Sequence, residues 1–208
     1  MRLPLATICL IALSGCATSV AYRADYLPEK SIAEDSRVEG RVLVYTTRAD
    51  DERLVTAGAT SFTGSAAKLT TPVGMIAREV AVKVFARAAR DGAVAANELV
   101  DLGRYSVIVR PEVKEFSYGF PQLKNLGFAI TPEVRLRLRL SILDDQGRVA
   151  LEREYDTGTV EGSSYILSGS PYERISRLLH ESMQDLMIRA VTDVRAFQRA
   201  RVAAPAVS

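Results

Sequence analysis

The residues able to do chemistry are few, and their spacing does not favour reaction. His180 is the single histidine in 208 residues, so a cluster of imidazoles around a metal is impossible. A nucleophilic triad would have to draw its partners from elements unconnected to that histidine. Ser163, Ser164, Ser168 and Ser170 fall in a Gly-rich stretch, but Gly-x-Ser-x-Gly, the strained turn that exposes a nucleophile, is absent. A turn and a helix cap account for them. Arg135, Arg137 and Arg139 alternate with apolar residues and would form an anion-binding ladder if nothing acidic stood opposite. Glu152, Glu154 and Asp156 on the next segment are placed to neutralise it. None of these patterns requires an enzyme, and none calls for a cofactor or a metal.

The segment from Phe116 to Ile130 is less easily assigned. Phe116, Tyr118, Phe120, Leu123, Leu126 and Phe128 crowd a connection that also holds Gly119, Pro121, Asn125 and Gly127, whereas connections are normally polar. Either the segment packs beneath a helix, or it is an exposed surface for a partner, a lipid or a membrane, with Lys124 suited to an interface or a headgroup. These residues, with the Ser/Gly-rich 161–170 stretch, are the candidate partner or ligand contacts.

The elements that position them follow from periodicity. Arg41–Thr47 reads as a strand, and Leu54–Leu69 as a short strand and a loop. Thr71-Pro72 offers an N-cap and a first-turn proline, and Ile76, Val80, Val84 and Ala88 recur every fourth residue, so a helix is expected over about 72–90, closed by Gly92. Arg78, Glu79, Lys83, Arg87 and Arg90 mark its solvated side. Arg104–Tyr118 has period two with Pro111 signalling an edge or bulge. Val134 to Ile142 alternates most cleanly, and Asp144-Asp145-Gln146-Gly147 turns the chain into a return strand over 148–160. The expected register sets Arg139 against Glu152, Arg137 against Glu154 and Arg135 against Asp156, with Leu140 on Leu151 and Leu136 on Tyr155. Ser170-Pro171-Tyr172-Glu173 starts a long amphipathic helix that runs to about residue 200. The whole is an α+β two-layer sandwich, a mainly antiparallel sheet with two helices packed on one face.

At the N-terminus Met1-Arg2 precedes an apolar run, Leu5–Leu13, whose nine positions reach roughly 14 Å as a helix against about 30 Å of hydrocarbon. That is too short to span a bilayer and is the layout of an export signal over residues 1–15. The tetrapeptide Leu13-Ser14-Gly15-Cys16 resembles the lipobox of bacterial lipoproteins. The resemblance implies that the Cys16 thiol is diacylglycerylated, that cleavage makes Cys16 the first residue, and that an acyl chain such as palmitate completes the anchor. With Ala17 rather than aspartate next, it further implies delivery to the periplasmic face of the outer membrane. Cys9 leaves with the signal, so no disulfide is available. Residues 16–40 mix small, polar and charged types without an apolar period and read as a lipidated N-terminus and flexible tether. Residues 41–200 form a single domain, and 201–208 a disordered tail.

The lipobox and element order together resemble the small outer-membrane lipoproteins of Gram-negative envelopes. These include the YajG-like group and the lipoprotein subunits of lipid-transport and lipopolysaccharide-assembly machines. The resemblance implies a membrane-anchored, non-enzymatic binding or accessory subunit with an envelope protein partner. The alternative is a lipid or hydrophobic-ligand binder. With 27 Lys+Arg against 25 Asp+Glu and the signs interspersed, a nucleic-acid partner is not expected.

Overall fold

The computed structural model describes residues 17–34, 37–61, 68–121, 129–166 and 170–203. Cys9, Cys16, Leu123, Lys124, Leu126 and Phe128 lie outside them, as does Ser168. Eight strands are described: β1 (Ala17–Ser19), β2 (Val42–Tyr45), β3 (Val55–Gly58), β4 (Lys68–Thr71), β5 (Ala93–Ala96), β6 (Val107–Gly119), β7 (Glu133–Leu143) and β8 (Val149–Glu161). The helices are α1 (Arg48–Asp51), α2 (Val73–Ala88) and α3 (Pro171–Ala203), with single 3-10 turns at Ala24–Tyr26 and Leu102–Arg104.

The α+β sandwich holds. The main sheet runs β5-β2-β6-β7-β8, and a small sheet runs β1-β4-β3. β6, β7 and β8 are antiparallel and supply the longest strands, whereas β2 lies parallel to both β5 and β6, which makes the sheet mixed. Val42, Val44, Val107, Val109, Leu136, Leu138 and Leu140 point to one face and join a single core with Ile76, Val80 and Val84 of α2 and Ile175, Leu179, Met183 and Leu186 of α3. Both helices therefore cover that face. Near β5 the opposite face carries a smaller cluster, Leu43, Ile108 and Leu143 under Tyr45, Leu99 and Tyr105. Pro111 sits where β2, which pairs only with Val107–Val109, has already left the flank of β6, and a bulge follows between Val113 and Glu115. A residue without an N–H is tolerated at such a place.

Three expectations are corrected. First, α2 starts one residue late. Pro72 is its N-cap, with φ −79° and ψ 69° and no capping side chain, and Val73 is the first helical residue.

Second, the β7–β8 register is displaced by two. Arg139 faces Glu154, Arg137 faces Asp156, Leu138 faces Tyr155 and Ile142 faces Leu151. The cause lies in the turn. Gly147 adopts φ +76°, its N–H donates to the Asp144 carbonyl at 3.0 Å, and Asp144 N–H reaches Arg148 O at 2.8 Å. The loop thus has three residues, 145–147, closed by a left-handed glycine. A further irregularity between Ile142 and Leu143 adds the second step. Over Arg137–Ile142 the displacement is even and those side chains keep their faces, while a further irregularity between Arg135 and Arg137 sets Arg135 opposite Thr159 rather than Asp156. Arg153 ends up opposite Leu140 but stays exposed on the outermost strand.

Third, residues 17–34 and 37–40 do not form a flexible tether. β1 is part of the small sheet, Tyr26 and Val38 are buried, and Val38 bridges Ala89. The supposedly solvated side of α2 is what holds this segment. Lys83 and Arg87 donate to the carbonyls of Ala24 and Lys30 at 3.0 and 2.6 Å. Isolated side chains and backbone make these contacts, so no apolar period announces them.

α1 and α2 meet across Gly74, where a Cβ would lie 1.8 Å from the Asp50 carbonyl oxygen and 2.8 Å from that of Asp51. Gly74→Ala is expected to lower stability by about 2 kcal/mol or more. Gly103→Ala, with nothing within 4 Å of its Cβ, should stay within about 0.5 kcal/mol of the parent. Coincident urea-unfolding midpoints for the two variants would contradict this account of the helix junction.

Candidate functional site

α3 carries a polar stripe inside its apolar face. Ser176, His180 and Gln184 recur every fourth residue, and Gln198 lies nearly four turns on, all buried. Three of the four hold backbone of residues 23–39. His180 Nε2 accepts the Arg23 N–H at 3.1 Å. Gln184 Nε2 donates to the Pro28 carbonyl at 2.9 Å. Gln198 grips Glu39 twice, accepting its N–H and donating to its carbonyl, both at 3.0 Å. Tyr26 Oη donates to Glu173 at 3.0 Å, and Lys30 pairs with Asp185 at 2.5 Å. The segment is a strap across α2 and α3.

His180 is fully buried between the rings of Tyr22 and Tyr26, each 5.6 Å away. Its Nδ1 lies 2.7 Å from the Ser176 carbonyl. One neutral tautomer satisfies both contacts, with Nδ1–H donating to Ser176 O while Nε2 accepts from Arg23. Burial pushes the imidazole pKa below its ordinary value, and the Ser176 bond only partly opposes this. The charged groups around the site are Arg23, Asp25, Glu173 and Arg177. Asp25 is drawn down to about 2 by its hydrogen bond from Arg23, and Arg177 lies over the Tyr26 ring. With both nitrogens engaged, the ring is not set up as a general base.

The sequence-predicted contact residues divide. Phe116, Tyr118 and Phe120 are core residues and not a surface, with Tyr118 1% exposed. β6 runs on to Gly119, and the bulge after Val113 turns Phe116 and Tyr118 inward. Tyr118 Oη donates to Ala57 O at 3.0 Å, and its ring meets Tyr172 edge-on. Leu123, Lys124, Leu126 and Phe128 lie outside the described residues. The 116–130 and 161–170 segments do come together, since Ile130 and Tyr165 exchange backbone hydrogen bonds at 2.8 and 3.0 Å, and Thr131 Oγ1 meets Ser164 Oγ at 2.7 Å. Beside them Ser163 and Ser170 line a cleft of about 330 Å³ whose walls carry Glu173, Arg174, Arg177 and Glu181.

The arginine ladder is neutralised. Arg135 and Arg137 share Asp156 at 3.1 and 3.5 Å, Arg137 also reaches Glu115, and Arg139 spans Glu152 and Glu154. Among the described residues no group of three His, Cys, Asp or Glu side chains could hold a metal ion. The strap residues of α3 were missed in the sequence. Their signal was there, as polar residues at a spacing of four on a helix face otherwise filled with Leu, Met and Val.

No family model matches this chain, and no curated protein does. Solved structures with a similar fold include uncharacterized lipoprotein B from Nitrosomonas europaea, 14% identical, with a TM-score of 0.43, 84% of this chain covered and 94% of that one. The PelC dodecamer from Paraburkholderia phytofirmans is 15% identical, with a TM-score of 0.40 over 76% of this chain and 88% of that one. A minor lipoprotein from Acinetobacter baumannii is 14% identical, with a TM-score of 0.36 over 76% of this chain and 94% of that one.

The depressed pKa of His180 makes the strap acid-sensitive. As pH falls through about 6.5 the unfolded chain takes up this proton first, so stability declines until the folded imidazole is also protonated, and well above that pH the group contributes no slope. His180→Phe should remove that part of the decline between pH 7 and pH 5 in urea-unfolding series. An undiminished slope in the variant would assign the decline to other groups.

Proposed function

We propose that this chain is a bacterial lipoprotein anchored through Cys16, and that its domain is a non-enzymatic binding or accessory subunit of a cell-envelope assembly at the periplasmic face of the outer membrane. The observation that carries the reading is the Leu13-Ser14-Gly15-Cys16 tetrapeptide, behind a short apolar run and directly ahead of a segment strapped to the folded domain. Acylation contributes about 0.8 kcal/mol per buried methylene, so a multiply acylated cysteine holds without a transmembrane helix. No described helix is long and apolar enough to cross a membrane.

Two features support a binding role over chemistry. His180 is consumed by the strap, and the arginines of β7 are paired with carboxylates. A lipid-binding groove between helices and sheet has less support. Leu136, Leu138, Ile175, Leu179 and Met183 fill that interface with under 2% exposure, whereas a ligand site of this kind needs several hundred Å³ of apolar space.

Cys16→Ser should abolish palmitate incorporation in cells and leave residues 1–15 attached, because cleavage before Cys16 follows its acylation. A parent chain that incorporates no palmitate would overturn the anchoring reading. Crosslinking of the parent in intact cells, with the products identified by mass spectrometry, tests the accessory role. A chain that crosslinks to no envelope protein would count against it.

A further inference from the structure

The strap removes the slack that a tether would give. Some 24 extended residues could have reached roughly 80 Å from the membrane. Instead Ala17 is already paired with Lys68 in the small sheet, and the Cα atoms of neighbouring residues are about 3.8 Å apart. Resting on the anchoring reading above, we infer that the domain lies directly on the bilayer, with the end from which β1 emerges set against the lipid headgroups.

The topology gathers specific elements at that end. β4 begins there at Lys68, beside Ala17 on one side and the last residue of β3, Gly58, on the other. Thr60 N–H donates to Tyr118 O at 2.8 Å, which brings in the end of β6. β7 starts at Glu133 opposite the last residue of β8, Glu161, and Gly162 N–H reaches Pro132 O at 2.8 Å. Thr18 and Ser19 share a cleft with Ser170 and Tyr172, which puts the first turn of α3 there as well.

The described surface at this end suits a lipid interface. Ile166, between β8 and α3, is 66% exposed, and an apolar side chain placed there can enter the headgroup–acyl boundary. Lys68, exposed beside the chain's exit, can lay its methylenes along the acyl boundary and its ammonium among phosphates. The opposite end is far away. β7 has eleven residues, which at about 3.4 Å per residue separates the Asp144–Gly147 turn from the anchor end by roughly 35 Å. Val149, 56% exposed beside that turn, is a matched position remote from lipid.

The chain has no tryptophan, so one introduced indole reports its own surroundings. The Ile166→Trp and Val149→Trp variants, purified from membranes as the acylated protein, are placed in vesicles of phosphatidylethanolamine and phosphatidylglycerol containing brominated acyl chains. Emission from Ile166→Trp should be blue-shifted and quenched several-fold more than emission from Val149→Trp. A flexible Gly/Ser spacer inserted between Cys16 and Ala17 should reduce that difference. Equal quenching at both positions, or none at either, with Cys16 shown by mass to be acylated, would overturn the docked orientation and leave the anchor standing. An unmodified Cys16 would remove the anchoring reading and this inference with it.

Discussion

The structure depends on buried polar side chains of one helix holding the backbone of a segment far away in sequence. His180, Gln184 and Gln198 meet Arg23, Pro28 and Glu39, contacts that close loops of more than 150 residues. A buried N–H or C=O without a partner costs about 1–3 kcal/mol. Arg23, Ala24, Pro28, Lys30 and Glu39 therefore lie over α2 and α3 with backbone groups partnered by these side chains and by Lys83 and Arg87 of α2. Replacing them with apolar residues would leave strap backbone buried and unsatisfied.

This constraint also orders the rest of the helix layer. α3 could not be a plain amphipathic helix, because one stripe of its surface faces the sheet and another faces the strap. Its length, Pro171–Ala203, lets it span the sheet while reaching the first and last parts of the strap. Tyr155 of β8 ties in from the other side, its hydroxyl donating to Asp193 at 2.7 Å. The strand layer, the helices and the N-terminal segment thus share α3 as their common element.

On the uncovered sheet face the logic differs. Arg135, Arg137 and Arg139 each find carboxylates, but all the partners are partly solvated, so the pairs contribute little individually. Their arrangement penalises slips that would bring like charges together. An even displacement of register keeps the pairing of signs and faces, and this is why the observed register could differ from the expected one by two residues without disturbing the core. The turn decides between such registers, through the left-handed Gly147 and the Asp144 carboxylate that accepts the N–H groups of Gln146 and Arg148.

The sequence by itself determined the α+β class, the inward faces of β7 and of β6 as far as Val113, the two long helices with their approximate ends, and the Leu13-Ser14-Gly15-Cys16 tetrapeptide ahead of the domain. These follow from local periodicity, caps and motifs, each contained within a few turns or strands of chain. Tertiary structure decided the rest. It made Phe116, Tyr118 and Phe120 core residues, because the small sheet and Tyr172 cover the end of β6. It added the parallel β5-β2-β6 half, which has no local signature, and it converted a presumed tether into a strap. That segment's stabilising contacts run from backbone to side chains about 160 residues away, so its own sequence shows only small and polar residues. Its partners on α3 did leave a trace, Ser176, His180 and Gln184 at a spacing of four, whose meaning needed the packed backbone to be read.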